Sequence, residues 1–365
     1  MPRLCSSVLL PLLIASSARA LSMDWTPIGD PGNSCDPQPG GCFGAVAYIY
    51  SIATYEVTNA QYAEFLNAKA KSDPLGLWNE NMDNNPSFSY GGIRRTGTPG
   101  NYAYFPVSAR ANQPVNYVSF FDAARFANWM NNGQGDADTE TGAYTLTGGT
   151  PTPSNASTIV RNEGAEIVLP NENEWYKAAY YDPASQTYFD YPVGADAVVC
   201  SEPTAAPGHA NCANVIGDST NSGSYAGSAS PYGTFDQGAN VWEFLEVNLC
   251  FACSPTSFWG HRGGSYLLAG TTLSASSRSG AYGSDEVTDI GFRVAGVIPE
   301  PGSNLLLVSG VLGLLGLAGW RRGRAWPRTR LARFSARERS SIQRRMALLP
   351  GGPCRACARA CCCRC

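Results

Sequence analysis

The sequence predicts an α+β domain with little regular secondary structure. Two observations point there. Three helical starts, each opened by a capping side chain, are separated by long polar stretches rather than by regular crossovers. The chain between its ends is rich in glycine, asparagine, serine and tyrosine and holds only three lysines, the mark of a loop-rich extracellular domain and not of a helix bundle.

Tyr48 to Tyr55 alternates apolar and small residues as a strand does. Thr58 caps a first helix whose Tyr62, Phe65 and Leu66 share one face. From Lys71 to Asn112 the turns at Gly91-Gly92 and Pro99-Gly100 predict a long irregular insert. Ser119 opens a second helix, with Asp122 at its third position as an acidic variant of the capping box, and Gly133 ends it. A short strand at Ile167 to Pro170 precedes a third helix at Asn171, where Glu172 and Glu174 suit the positive end of the dipole and Trp175, Ala178 and Ala179 form the buried stripe. From Pro183 to His261 the pattern predicts mostly loops, and Arg262 to Tyr266 and Gly291 to Ala295 are the last core pieces.

The ends differ from the middle. Arg3, the apolar run from Leu9 to Ile14, and small residues at Ala18 and Ala20 predict an export signal over 1–20. Residues 21–44 form a lead with a short disulfide loop, and 45–296 the folded domain. Pro299-Glu300-Pro301-Gly302, the apolar run Leu305 to Trp320 and the basic Arg321, Arg322 and Arg324 predict a sorting segment over 298–324 that includes a transmembrane helix. Residues 325–365, ending in Cys361-Cys362-Cys363-Arg364-Cys365, read as a disordered tail or as the product of a misplaced stop codon. Residues 24–320 carry 11 basic and 28 acidic side chains, which argues against nucleic-acid binding and suits calcium, a cation that takes oxygen ligands.

Six cysteines of the middle fall in three local pairs: Cys35 with Cys42, Cys200 with Cys212, and Cys250 with Cys253. In an oxidising compartment such pairs close short loops. Cys250-Phe251-Ala252-Cys253 also fits a redox motif, but no periodic helix follows it.

Eight stretches in this order resemble the sulfatase-modifying factor family, that of the formylglycine-generating enzymes. Among them are Tyr55-Glu56-Val57-Thr58-Asn59, Leu169-Pro170-Asn171-Glu172-Asn173-Glu174-Trp175, Asn240-Val241-Trp242-Glu243, Arg262-Gly263-Gly264-Ser265 and Gly291-Phe292-Arg293. The resemblance implies a fold related to C-type lectins and a calcium loop at Asn240, Val241 and Glu243, with a looser second site at Asn214, Val215 and Asp218. The bland alternative is that Asn240 and Glu243 satisfy backbone groups without metal. It also implies two copper-binding cysteines just after Arg-Gly-Gly-Ser, but those positions fall on Leu268 and Leu273, and an aliphatic chain cannot grip a soft metal ion. A non-haem iron site would have only His209 and His261 to draw on. Nothing in their spacing singles out a pair among the carboxylates Glu172, Glu174, Asp236, Glu243 and Asp285.

The C-terminal segment resembles the PEP-CTERM sorting signal of Gram-negative bacteria. This implies export through the inner membrane, processing by an exosortase-type protease, a membrane contact through the C-terminal helix before processing, and a cell-surface or extracellular place afterwards. The expectation is a calcium-stabilised binding or structural protein, with an extracellular glycan as a partner, that is no formylglycine-generating oxidase. The alternative is a divergent metal-dependent oxidoreductase of the same family, using a cleft near Ser265, Arg278 and Arg293.

Overall fold

The three expected helices form, and in each the cap is the reason the chain turns where it does. In the computed structural model, which describes residues 20–83, 90–250 and 257–297, helix α1 is Asn59–Lys69, α2 is Phe120–Asn131 and α3 is Glu172–Tyr180. Each opens with a reciprocal capping box. Thr58 Oγ1 accepts from the Gln61 amide while Gln61 Oε1 accepts from the Thr58 amide, and Ser119 with Asp122 and Asn171 with Glu174 repeat the arrangement. Losing one such cap costs about 1 kcal/mol. Helix α2 ends at Gly133, whose φ of 72° lies in the left-handed region.

Two four-stranded sheets frame these helices. The first is built from β1 (Trp25–Ile28), β2 (Tyr50–Ala53), β3 (Ile167–Val168) and β8 (Ala295–Val297), in the order β1-β2-β8-β3. The second is built from β4 (Trp242–Asn248), β5 (Phe258–Arg262), β6 (Ser279–Tyr282) and β7 (Ile290–Gly291), in the order β6-β5-β4-β7. Strand β4 pairs antiparallel with β5 and parallel with β7. Aromatic rings fill the core around α2: Phe120 stacks on Trp259 with centroids 3.6 Å apart, and Phe126 meets Phe292 edge-on at 5.3 Å. The expected stripe of α3 is correct, with Trp175, Ala178 and Ala179 fully buried.

Three expectations need correction. The insert from Lys71 to Asn112 contains a hairpin, Ile93–Thr96 against Ala103–Pro106, turned through Gly97 and Gly100 at positive φ. The stretch from Pro183 to His261 contains β4, the seven-residue centre of the second sheet. The membrane helix is not upheld: among the described residues no helix is long and apolar enough to cross a membrane. The membrane contact expected through that helix is likewise not upheld among the described residues. The run Leu305 to Trp320, the sorting motif, the tail and residues 1–19 lie outside the described residues.

Candidate functional site

The chain enters β4 through a kink. Asp236, Ala239 and Asn240 all have positive φ, a conformation that costs energy for residues other than glycine and persists only where the surroundings impose it. Asn240 imposes much of it. Its Oδ1 accepts from the Thr220 amide at 2.9 Å, and its Nδ2 donates to Glu56 Oε1 at 3.0 Å. Two residues into the strand, Glu243 accepts from Arg293 Nε at 2.6 Å and Nη2 at 2.7 Å, and from Trp175 Nε1 at 2.8 Å. The remaining Arg293 donors go to the carbonyls of Ala53, Thr54 and Phe235. A buried guanidinium and carboxylate thus tie β4 and α3 to the end of β2.

Glu56 and Asp236 lie beside this pair. Burial first, then the neighbouring Asp236 carboxylate, pushes Glu56 well above the usual carboxylate range. Burial raises Asp236 to about 6, against the opposing pull of the Gly223 amide and Arg293. A cleft of about 300 Å³ opens over Glu56, lined also by Asp24, Tyr55, Gln61, Asn112 and Ser222. In the sequence Glu56 stands only within the Tyr55-Glu56-Val57-Thr58-Asn59 motif, and nothing in its spacing marks it as the floor of a cleft.

The three side chains expected to line a cleft, Ser265, Arg278 and Arg293, are each engaged by a carboxylate. Ser265 Oγ donates to Asp289 Oδ2 at 2.7 Å, Arg278 Nη2 to Glu172 Oε2 at 2.7 Å, and Arg293 to Glu243. Each polar group is claimed by a carboxylate from a different part of the chain. Glu172 also accepts from the buried Arg262 at 2.8 Å, so it serves as the anchor of two arginines.

At the two positions where the sequence resemblance leads one to expect cysteines, Leu273 is fully buried against Ala210, Cys212 and Ala239, while Leu268 packs half-buried on the main core. Between them runs the short turn Gly270–Leu273. Sulfur reaches this place from elsewhere: a Cβ on Gly270 would lie 3.4 Å from Cys200 Sγ and 3.9 Å from Cys212 Sγ. Those two sulfurs form a disulfide, as do Cys35 and Cys42. Cys250 is disulfide-bonded as well, and Cys253 lies outside the described residues. These cysteine pairs are disulfides and form no free catalytic dyad.

The residues expected to hold calcium are only partly suited to it. Both oxygens of Glu243 are committed to Arg293 and Trp175, and Val241 is fully buried beside it, so the Asn240–Glu243 loop does not fit as the cation site expected there. In the second set, Asp218 pairs with Arg110 at 2.5 and 2.7 Å, the Asn214 amide donates to the Tyr266 carbonyl, and Val215 is exposed. The residue missed by the sequence is Asn211. It is 1 % exposed, its Nδ2 donates to the Asp218 carbonyl and to Asn240 Oδ1, and its own Oδ1 is a buried acceptor with no donor. Among the described residues no group of three or more histidine, cysteine or carboxylate side chains is arranged for a metal. His209 shares a hydrogen bond with Ser201 Oγ, and His261 sits in the second sheet against the Trp242 ring, held neutral by burial with its pKa at about 4.

Among solved structures the chain is similar to CarF, at 21% identity and a TM-score of 0.53, covering 76% of this chain and 99% of that one. It also matches variable protein 1 of Treponema denticola (15%, TM-score 0.46, 76% and 98% covered) and PvdO of Pseudomonas aeruginosa (17%, 0.41, 76% and 93%). At these identities the likeness to CarF bears on the fold alone. No curated protein matches the chain. The family described as sulfatase-modifying factor enzyme 1-like domain matches residues 46–298, the whole of the two-sheet domain after β1. The chain belongs to the sulfatase-modifying factor enzyme 1-like family.

Proposed function

We propose that this chain is a binding or structural module at the surface of a Gram-negative bacterium, built on a scaffold that has given up the oxidation of cysteine. One observation carries the reading. Leu268 and Leu273 occupy the positions that the sequence resemblance assigns to the family's thiols, and the sulfurs near that turn are joined in a disulfide. A disulfide lacks the thiolates that a soft metal ion requires. Disulfides also agree with an oxidising compartment, and the resemblance of Ile298 to Arg324 to a sorting signal agrees with export. The kinship to C-type lectins belongs to this same reading.

Calcium is part of the proposal beside Asn211 rather than at Glu243, the Asp218 carboxylate being held by Arg110 just as that of Glu243 is held by Arg293. The unsatisfied Asn211 Oδ1 is the supporting feature, and the ion would supply a fixed positive centre holding residues 211–220 against β4. The oxidoreductase reading keeps one observation in its favour, the nearness of Cys200 and Cys212 to the Gly270 turn. Incubating the protein, oxidised and reduced, with copper and a Cys-x-Pro-x-Arg peptide separates the two. The module leaves the peptide unchanged; the oxidase converts its cysteine to formylglycine.

A further inference from the structure

We infer that the cleft over Glu56 binds an organic cation, an ammonium or guanidinium group on a short aliphatic chain. This deepens the binding-module reading and rests on it. Glu56 is 1 % exposed and forms part of the cleft wall. The side-chain donors to its oxygens are both neutral, Asn240 Nδ2 and Ser222 Oγ, each at 3.0 Å. A carboxylate oxygen has two lone pairs, so each keeps one for a further donor. Asp236, close enough to raise the pKa of Glu56, is likewise held by a neutral group, the Gly223 amide at 2.5 Å.

The nearby Arg293 favours their ionised forms by its charge but donates no hydrogen bond to either. All five N–H groups of Arg293 are spent on Glu243 and on the carbonyls of Ala53, Thr54 and Phe235. When ionised, the carboxylates of Glu56, Asp236 and Glu243 outnumber the one guanidinium beside them, and a buried charge is stable only when paired. Asp24 adds a carboxylate among the lining residues, and Tyr55, backed by Phe235 with ring centroids 5.5 Å apart, adds an aromatic wall of the kind that attracts a cation. The volume of about 300 Å³ is that of a small-ligand site. A bare metal ion is a poorer match, since no metal-ligating group of three is present among the described residues.

The test uses the full chain and two probes of equal length, cadaverine and 1,5-pentanediol, followed by titration calorimetry at low salt. Cadaverine binds and pentanediol does not. Glu56→Gln, which keeps the shape of the side chain, weakens cadaverine at least tenfold, and Tyr55→Leu weakens it severalfold with every carboxylate intact. Burial raises the pKa of Glu56, so a cation bound beside it favours the ionised carboxylate, and cadaverine binding is expected to release protons, detected as a dependence of the heat on the buffer. Equal binding of both probes, no binding of either, or unchanged affinity in both variants would overturn the inference. The copper and peptide assay decides the non-oxidase reading separately.

Discussion

Glu243 and Arg293 meet through two parallel hydrogen bonds of 2.6 and 2.7 Å, both side chains fully buried, one at the start of β4 and the other between β7 and β8. The pair closes the second sheet onto the first, because the same guanidinium also reaches the carbonyls of Ala53 and Thr54 beside β2. Removing one partner strands the other charge in the core. Arg293→Met is expected to destabilise the domain by about 3–5 kcal/mol, and Glu243→Gln by less, since the amide still accepts one bond. Urea denaturation of both variants checks this; equal stability with the parent contradicts the structural role.

Stability should fall as the solution is made alkaline from weakly acidic pH. Burial, then the neighbouring Asp122, raises Glu286 from 4.5 to about 7, so between those values the folded chain holds more protons than the unfolded one. The contribution is complete below pH 4.5 and is lost as pH rises through 7. Asp236, raised to about 6, acts in the same direction. His261 acts in the opposite one: its pKa is lowered from 6.5 to about 4 by burial, so its contribution is present above 6.5 and lost as pH falls toward 4. Above pH 6.5 only the carboxyl effect of these three remains. Glu286→Gln should flatten the loss of stability between pH 6.5 and 8, measured as denaturation midpoints; a parent curve that rises over that window contradicts the assignment.

The Cys200–Cys212 disulfide spans 12 residues, and closing a loop of that order stabilises a domain by about 2–3 kcal/mol in the chain-entropy account. The paired change Cys200→Ser with Cys212→Ser should lower the urea midpoint accordingly. The 7-residue Cys35–Cys42 loop lies in a peripheral hairpin and should matter less.

Calcium should raise the melting temperature and a chelator should lower it, and Asn211→Leu should remove the difference. If Asn211→Leu melts lower than the parent in chelator yet still responds fully to calcium, the ion sits elsewhere; an unchanged melting temperature in the parent removes calcium from the account.

Local chemistry was legible in the sequence and long-range pairing was not. The three capping boxes are written within four residues each, and the cysteine pairs within 13, so both could be read directly. Strand β4 escaped because its first four residues are all buried, which erases the alternation that marks a half-exposed strand. The engagement of Ser265, Arg278 and Arg293, expected to line a cleft, was hidden for a related reason. The partners that neutralise those side chains, Asp289, Glu172 and Glu243, lie 24, 106 and 50 residues away, and no spacing in the chain announces them. Asn211 was passed over because its importance lies in a missing donor, a property of packing alone.

The central claim is that this scaffold does not oxidise cysteine, and mass spectrometry of a Cys-x-Pro-x-Arg peptide after incubation with the copper-supplied protein tests it most directly. The account predicts an unmodified peptide whether Cys200 and Cys212 are oxidised or reduced. Formylglycine at the peptide cysteine, lost again in Cys200→Ser, would contradict it.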